Sequence, residues 1–141
     1  MKNLLKDFDN DKRFELKTII GGSHLNKNFG NTRLEIKNLK ISDVTFLKKY
    51  VRETNKQAIF KFLNDSNQEI SNILSRIKPH IILLMGDRYE LLSFLNSSIL
   101  FDFPIAHISG GEITEGAIDN QIRNILTKTS HLHFVANQNF K

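Results

Sequence analysis

The clearest pattern of apolar and polar positions lies between residues 66 and 85. The run Ser66-Asn67-Gln68-Glu69 fits a capping box, with the Ser66 hydroxyl accepting from the Glu69 amide and the Glu69 carboxylate reaching back. Ile70, Ile73, Leu74 and Ile77 follow at the i, i+3, i+4, i+7 spacing of one helix face. Pro79 closes that helix. The run IILLM at 81–85 is continuously apolar, as expected of a strand buried on both faces of a parallel sheet. Gly86 breaks it, and a helical pattern resumes through Leu100. A second strand is expected at PIAHI (104–108). From Glu115 the spacing of Ile118, Ile122, Ile125 and Leu126 is again helical, and HLHFVA (131–136) reads as a third strand.

The first sixty residues carry weaker signals. Leu4, Leu5 and Phe8 predict a short helix, and FELKTII (14–20) predicts a strand stopped by Gly21-Gly22. Residues 23–38 show no decisive pattern. LKISDVTFL (39–47) reads as strand or irregular structure, and residues 48–63 as a helix. No repeat or low-complexity tract interrupts the chain. Alternating strands and helices predict an α/β protein with a mostly parallel sheet. In such sheets ligands bind beyond the carboxyl ends of strands. Two polar clusters fall there: GDR at 86–88 and HISGGE at 107–112.

Composition narrows the function classes. With 40% hydrophobic and 25% charged residues among 141, a packed core is possible. The net charge of +5 suits an anionic partner such as a phosphorylated small molecule. The basic residues are dispersed; Lys48, Lys49 and Arg52 form too short a cluster for a nucleic-acid arm, so no nucleic-acid partner is expected. The absence of cysteine excludes disulfides and thiolate chemistry. No apolar run approaches the ~18 residues of a membrane span, and the amino terminus lacks a signal-peptide core. A cytoplasmic protein without a membrane partner is the expectation.

The candidate chemistry sits in the two clusters. Asp87, just past a buried strand and a glycine, is either an acid/base group or the N-cap of the next helix. Gly110-Gly111 lets backbone approach a ligand and can offer amides to an anion; it also suits a plain turn. Glu112 follows directly. Asp119 and Arg123 lie four apart and share a helix face, as a surface ion pair or as an acid with an arginine that keeps it ionised or grips a phosphate. His131 and His133 fall on one side of a strand, but two ligands are too few for a metal site, and none is expected. His107 ends a strand beside the glycines.

Taken together, GDRYELL (86–92), HISGGEITEGAIDNQIR (107–123) and TKTSHLHFVAN (127–137) resemble the hydrolysing UDP-N-acetylglucosamine 2-epimerases, which supply N-acetylmannosamine for sialic acid synthesis. FELKTIIGGSHL (14–25) resembles the second strand and loop of that family. The resemblance implies a Rossmann-like, three-layer parallel sheet, the first half of a two-domain GT-B-like fold with the nucleotide sugar in the cleft between halves. It implies no cofactor. The implied reaction removes the proton at C2, expels UDP to leave a 2-acetamidoglucal, and adds water. Asp87 matches a catalytic acid/base position, Asp119 a catalytic acid and Arg123 an active-site arginine. His107 opens the HxxGGE motif, so His107, Ser109, Gly110 and Gly111 are the expected substrate-binding residues. Ser109 stands where several relatives carry a catalytic Glu, and Glu112 is the nearest acid able to serve. Close relatives act on GDP-N-acetylglucosamine, and the resemblance does not separate the two nucleotides.

The same resemblance makes residues 1–141 a single partial domain, lacking the family's first strand and second domain. The expectation is an inactive chain on its own, or a remnant or complementing half that needs a partner carrying the second domain. A homodimer is also compatible.

Overall fold

The computed structural model describes residues 2–25, 32–48, 55–109 and 118–137. The chain divides into two compact units, Met1–Phe62 and Leu63–Lys141, taken in turn below.

In the first unit the amphipathic helix α1 (Lys2–Asn10) precedes strand β1 (Thr18–Ile20), a 3-10 turn at Gly22–Leu25, helix α2 (Thr32–Asn38) and strand β2 (Val44–Phe46). β1 and β2 pair in parallel, with Thr18 opposite Val44 and Ile20 opposite Phe46. The Asp9 carboxylate accepts from the Ser42 backbone N–H at 3.2 Å, which ties α1 to the segment entering β2. Gly21 is required by close approach: a Cβ there would collide with the buried side chain of Leu47. The strand expected at 14–20 is shorter than its apolar pattern. Phe14 is exposed and its N–H closes a turn on the Asp11 carbonyl, and pairing begins only at Thr18.

Helix α3 (Lys56–Ile77) corrects the capping-box expectation. It runs unbroken through Ser66, which lies buried in mid-helix with its hydroxyl lacking a hydrogen-bond partner among the described residues. The reason is periodic: Phe62, Ser66, Ile70, Ile73 and Leu74 are all buried, at spacings that form one continuous stripe. A small serine fits that stripe as well as it fits a cap. The N-terminal cap is Asn55, whose side-chain oxygen accepts from the Ala58 N–H at 2.8 Å, one of the orphan donors of a first turn. The part of the expected helix at residues 49–54 lies outside the described residues.

The second unit holds strands β3 (Ile82–Met85), β4 (Ile105–Ile108) and β5 (Leu132–Phe134), with helix α4 (Leu91–Leu100) between the first two and α5 (Ile118–Thr129) between the last two. The sheet order is β3-β4-β5 and both pairings are parallel. The sheet register sets Leu84 beside His107 and Met85 beside Ile108. Ile82, Leu84, Leu95, Ile105, Ile122 and Leu126 form the core. Buried serines Ser97 and Ser98 on α4 return their hydroxyls to the carbonyls of Ser93 and Phe94, which removes the cost of burying them. The left-handed residue after α4 is Asp102, with φ of 57°; the Phe103 N–H closes the helix on the Ser98 carbonyl at 2.9 Å. Glycine is the residue best suited to that position. Asp102→Gly removes a left-handed penalty of about 1–2 kcal/mol against a glycine entropy cost of about 0.5–1 kcal/mol, so it is expected to raise stability by about 0.5–1 kcal/mol, read as a higher urea midpoint with unchanged slope.

β3 differs from expectation in its burial. Ile82 and Leu84 are covered, but Leu83 and Met85 are 41% and 40% exposed. Register places Leu83 with Ala106 and Leu132, and Met85 with Ile108 and Phe134. Leu132 and Phe134 are also exposed, so the two flanking strands show apolar side chains to solvent on this face, while Ala106 on the central strand is buried. Burial of a parallel strand on both sides needs elements on both faces, and an unbroken apolar run encodes that need without supplying the second cover. Replacing Leu132 and Phe134 by lysine is expected to lower binding of an apolar-surface dye while shifting stability by no more than about 0.5 kcal/mol. Unchanged dye binding would show that this face is not the apolar surface.

Candidate functional site

The polar cluster after β3 begins with Gly86, whose φ of +89° no L side chain adopts comfortably. Its N–H donates to the Ile108 carbonyl at 3.2 Å, and its carbonyl accepts from the His107 ring at Nε2, 2.7 Å away. The chain thus turns off the sheet while still tied to β4. Asp87 comes next, and its carboxylate forms an ion pair with the guanidinium of Arg123 on α5. The Arg123 side chain is 6% exposed and that of Asp87 24%. The carboxylate is held by a buried cation, on a side chain that is still partly exposed.

Of the two roles open to Asp87, acid/base group or helix cap, the structure removes the second. Helix α4 starts at Leu91 with Glu90 at its N-cap, so Asp87 is not a helix cap. It also changes the partner of Arg123. The i, i+4 spacing with Asp119 stands, since both lie on α5, but Arg123 also reaches 36 residues back to pair with Asp87.

Asp119 lies half-buried in the first turn of α5, close enough to act on Tyr89. Burial pushes the Tyr89 hydroxyl above its ordinary range; the charges of Glu90 and, more weakly, Asp119 add to the shift, and Arg88 opposes it. Tyr89 was not among the expected site residues. Its signal was its place two residues after Asp87, in a turn that Arg88 and Glu90 brace through a 3.1 Å ion pair. Ser109, at the end of β4, is left-handed with φ of 68°, and its N–H donates to the Phe134 carbonyl at 3.0 Å. Gly110, Gly111 and Glu112 lie outside the described residues.

Two other features lie apart from this cluster. His131 accepts from the Ile105 N–H through Nδ1 at 3.2 Å, at the opposite end of β4. A groove of about 560 Å³ between α3 and α4, lined by Asn67, Gln68, Asn96 and Phe101 among others, includes none of the expected site residues. Among the described residues no three His, Cys, Asp or Glu gather as a metal site. No described helix is long and apolar enough to cross a membrane.

A sequence profile for UDP-N-acetylglucosamine 2-epimerase matches residues 6–141. The chain belongs to the UDP-N-acetylglucosamine 2-epimerase family. It is 36% identical to a Campylobacter jejuni GDP/UDP-N,N'-diacetylbacillosamine 2-epimerase (hydrolyzing), over all of this chain and 36% of that protein. It is 30% identical to a Neisseria meningitidis UDP-N-acetylglucosamine 2-epimerase, over 98% of this chain and 36% of that protein. The chain therefore spans about a third of the length of the curated relatives it matches. Among solved structures, the N. meningitidis UDP-GlcNAc 2-epimerase bound to UDP-GlcNAc matches with a TM-score of 0.77 at 16% identity, over 99% of this chain and 37% of that one. The S. aureus MnaA–UDP co-structure matches with a TM-score of 0.78 at 16% identity, over 99% and 36%. The epimerase fold of this chain is accordingly α/β and Rossmann-like, the part that forms the first half of the GT-B-like architecture.

Proposed function

We propose that this chain supplies the proton-transfer side of a hydrolysing 2-epimerase that converts UDP-N-acetylglucosamine and water to N-acetylmannosamine and UDP. The observation that carries the reading is the Asp87–Arg123 pair at the carboxyl end of β3. A carboxylate meant for proton transfer must be held in place and remain reachable. Here a buried guanidinium holds it and about a quarter of the Asp87 side chain stays exposed.

In this reading Asp87 takes the proton from C2 of the sugar. The C2–H bond electrons form the C1–C2 double bond as the C1–O bond breaks and UDP leaves with its electron pair. Water then adds across the 2-acetamidoglucal, with hydroxyl to C1 and a proton to C2 on the opposite face. The C2 proton is weakly acidic, so loss of the diphosphate shares the barrier. Burial of Arg123 favours a role as the charge partner of Asp87 over a grip on the diphosphate. Asp119 serves as the second acid, at the start of α5. Glu112 is the weaker candidate for that duty, and Ser109, Gly110 and Gly111 are assigned to substrate binding through backbone.

A second substrate reading has specific support. The relative that is 36% identical is named for N,N'-diacetylbacillosamine carried on GDP or UDP. Such a sugar keeps the 2-acetamido group and the C2 proton, so the chemistry at Asp87 is unchanged. A non-catalytic, complementing role is the competing class, and the exposed apolar sheet face supports it.

The test is a chimera in which these 141 residues replace the matching third of the C. jejuni relative. UDP release is followed with UDP-N-acetylglucosamine, GDP-N-acetylglucosamine and the diacetylbacillosamine nucleotides. Turnover of any of them supports the epimerase reading, and the order of kcat/KM chooses the substrate. A folded chimera that turns over none of them contradicts it.

A further inference from the structure

We propose that His107 is a positioning residue, whose ring N–H clamps the Gly86 carbonyl and so holds Asp87 against Arg123. Its meaning for catalysis rests on the assignment of Asp87 above; the clamp itself does not. His107 has no exposed surface, so it is poorly placed to touch a sugar. A carbonyl can only accept, so the 2.7 Å contact to Gly86 requires the hydrogen on Nε2. In the neutral ring Nδ1 is then the lone-pair nitrogen. It is buried and has no hydrogen-bond partner among the described residues. Burying an unsatisfied ring nitrogen is costly, and an aliphatic side chain in the core beside Leu84 would avoid that cost. What the imidazole provides at this position is one donor, aimed at one carbonyl.

That carbonyl needs it. Gly86 is the first residue past the ladder of β3. Among the described residues, and its chain neighbours aside, nothing lies within 4 Å of where its Cβ would stand, and glycine visits both signs of φ readily. Neither sterics nor strand pairing therefore prevents the Gly86–Asp87 peptide from flipping. With the clamp, both polar atoms of Gly86 are tied to β4: the N–H to the Ile108 carbonyl, and the carbonyl to the His107 ring. Asp87 follows immediately and takes its direction from that peptide. A flip would swing its carboxylate away from Arg123, leaving a buried cation without this partner. The strand register brings His107 into reach, because it sits beside Leu84, two residues before the carbonyl it must meet.

The experiment combines ring spectroscopy with a variant series. In the 141-residue chain, long-range nitrogen–proton correlation is expected to show His107 protonated on Nε2 and bare on Nδ1, with a slowly exchanging ring proton. His107→Gln, which keeps an N–H donor near the Nε2 position, is expected to retain the dispersed guanidinium signals of Arg123. His107→Leu, which keeps the volume and loses the donor, is expected to collapse them. In the chimeric enzyme, His107→Leu should lower kcat by roughly 10–100-fold with KM little changed, and His107→Gln should recover most of it. A bare Nε2 with the hydrogen on Nδ1, or unchanged Arg123 signals in folded His107→Leu, overturns the clamp. So does a rise in KM with kcat intact, the mark of a substrate ligand. If His107→Leu does not fold, the ring tautomer and the His107→Gln signals decide. If the native chimera shows no turnover, the epimerase reading fails while the ring and guanidinium measurements still judge the clamp.

Discussion

Asp87→Asn is expected to lower kcat of the chimeric enzyme by about 10²–10⁴-fold, with KM much less affected. The amide keeps the size and one hydrogen-bond acceptor of the carboxylate, so the turn after β3 should survive. What disappears is the group that can take a proton, and the negative charge facing Arg123. The measurement is steady-state UDP release beside a thermal melt of the same preparation. A large fall in kcat in a folded variant supports proton transfer at Asp87. Near-normal turnover would remove Asp87 from the chemistry and leave the ion pair as a purely structural feature.

Asp87→Leu is expected to cost about 3 kcal/mol of stability, the low end for breaking a buried pair, because the aspartate side is partly hydrated. The loss comes from leaving the Arg123 charge buried opposite an apolar group. Adding Arg123→Met removes that charge, and the double variant is expected to regain most of the loss, since replacing both partners of a buried pair with apolar residues is often near neutral. A double-mutant cycle by urea unfolding gives the coupling. The pattern separates stability from function: the double variant should be stable and inactive. Additive losses would mean that the two residues do not form a coupled pair.

Much of the second unit was legible because long-range order there follows local pattern. The apolar runs at 81–85 and 104–108 and the helical spacing from Ile118 each became an element of the expected type. Their position before GDR and HIS pointed to the candidate site by the strand-end rule alone. Other features were not legible, for identifiable reasons. Periodicity reports which residues share a face but not what lies opposite, so Arg123 could be read with Asp119 beside it but not with Asp87 across the fold. Ser66 satisfies a cap motif and a crowded helix stripe equally, and only packing distinguishes them. Continuous hydrophobicity at 81–85 indicates two faces that favour cover, yet Leu83 and Met85 remain exposed. His107 read as a strand-end histidine available to a ligand; its bond to the Gly86 carbonyl depends on the register of β3 against β4, which no spacing in one segment encodes. Gly110, Gly111 and Glu112 lie outside the described residues, so their assignment rests on the family motif.

The sharpest test of the central claim is the hydrogen at C2 of the product. The chimeric enzyme is run in deuterium oxide, and the released 2-acetamido sugar is examined by proton NMR. Proton abstraction by Asp87 followed by hydration of a glycal predicts deuterium at C2 in every product molecule, one UDP released per sugar, and loss of both in Asp87→Asn. Product that keeps protium at C2, or UDP release that persists in Asp87→Asn, would contradict the account.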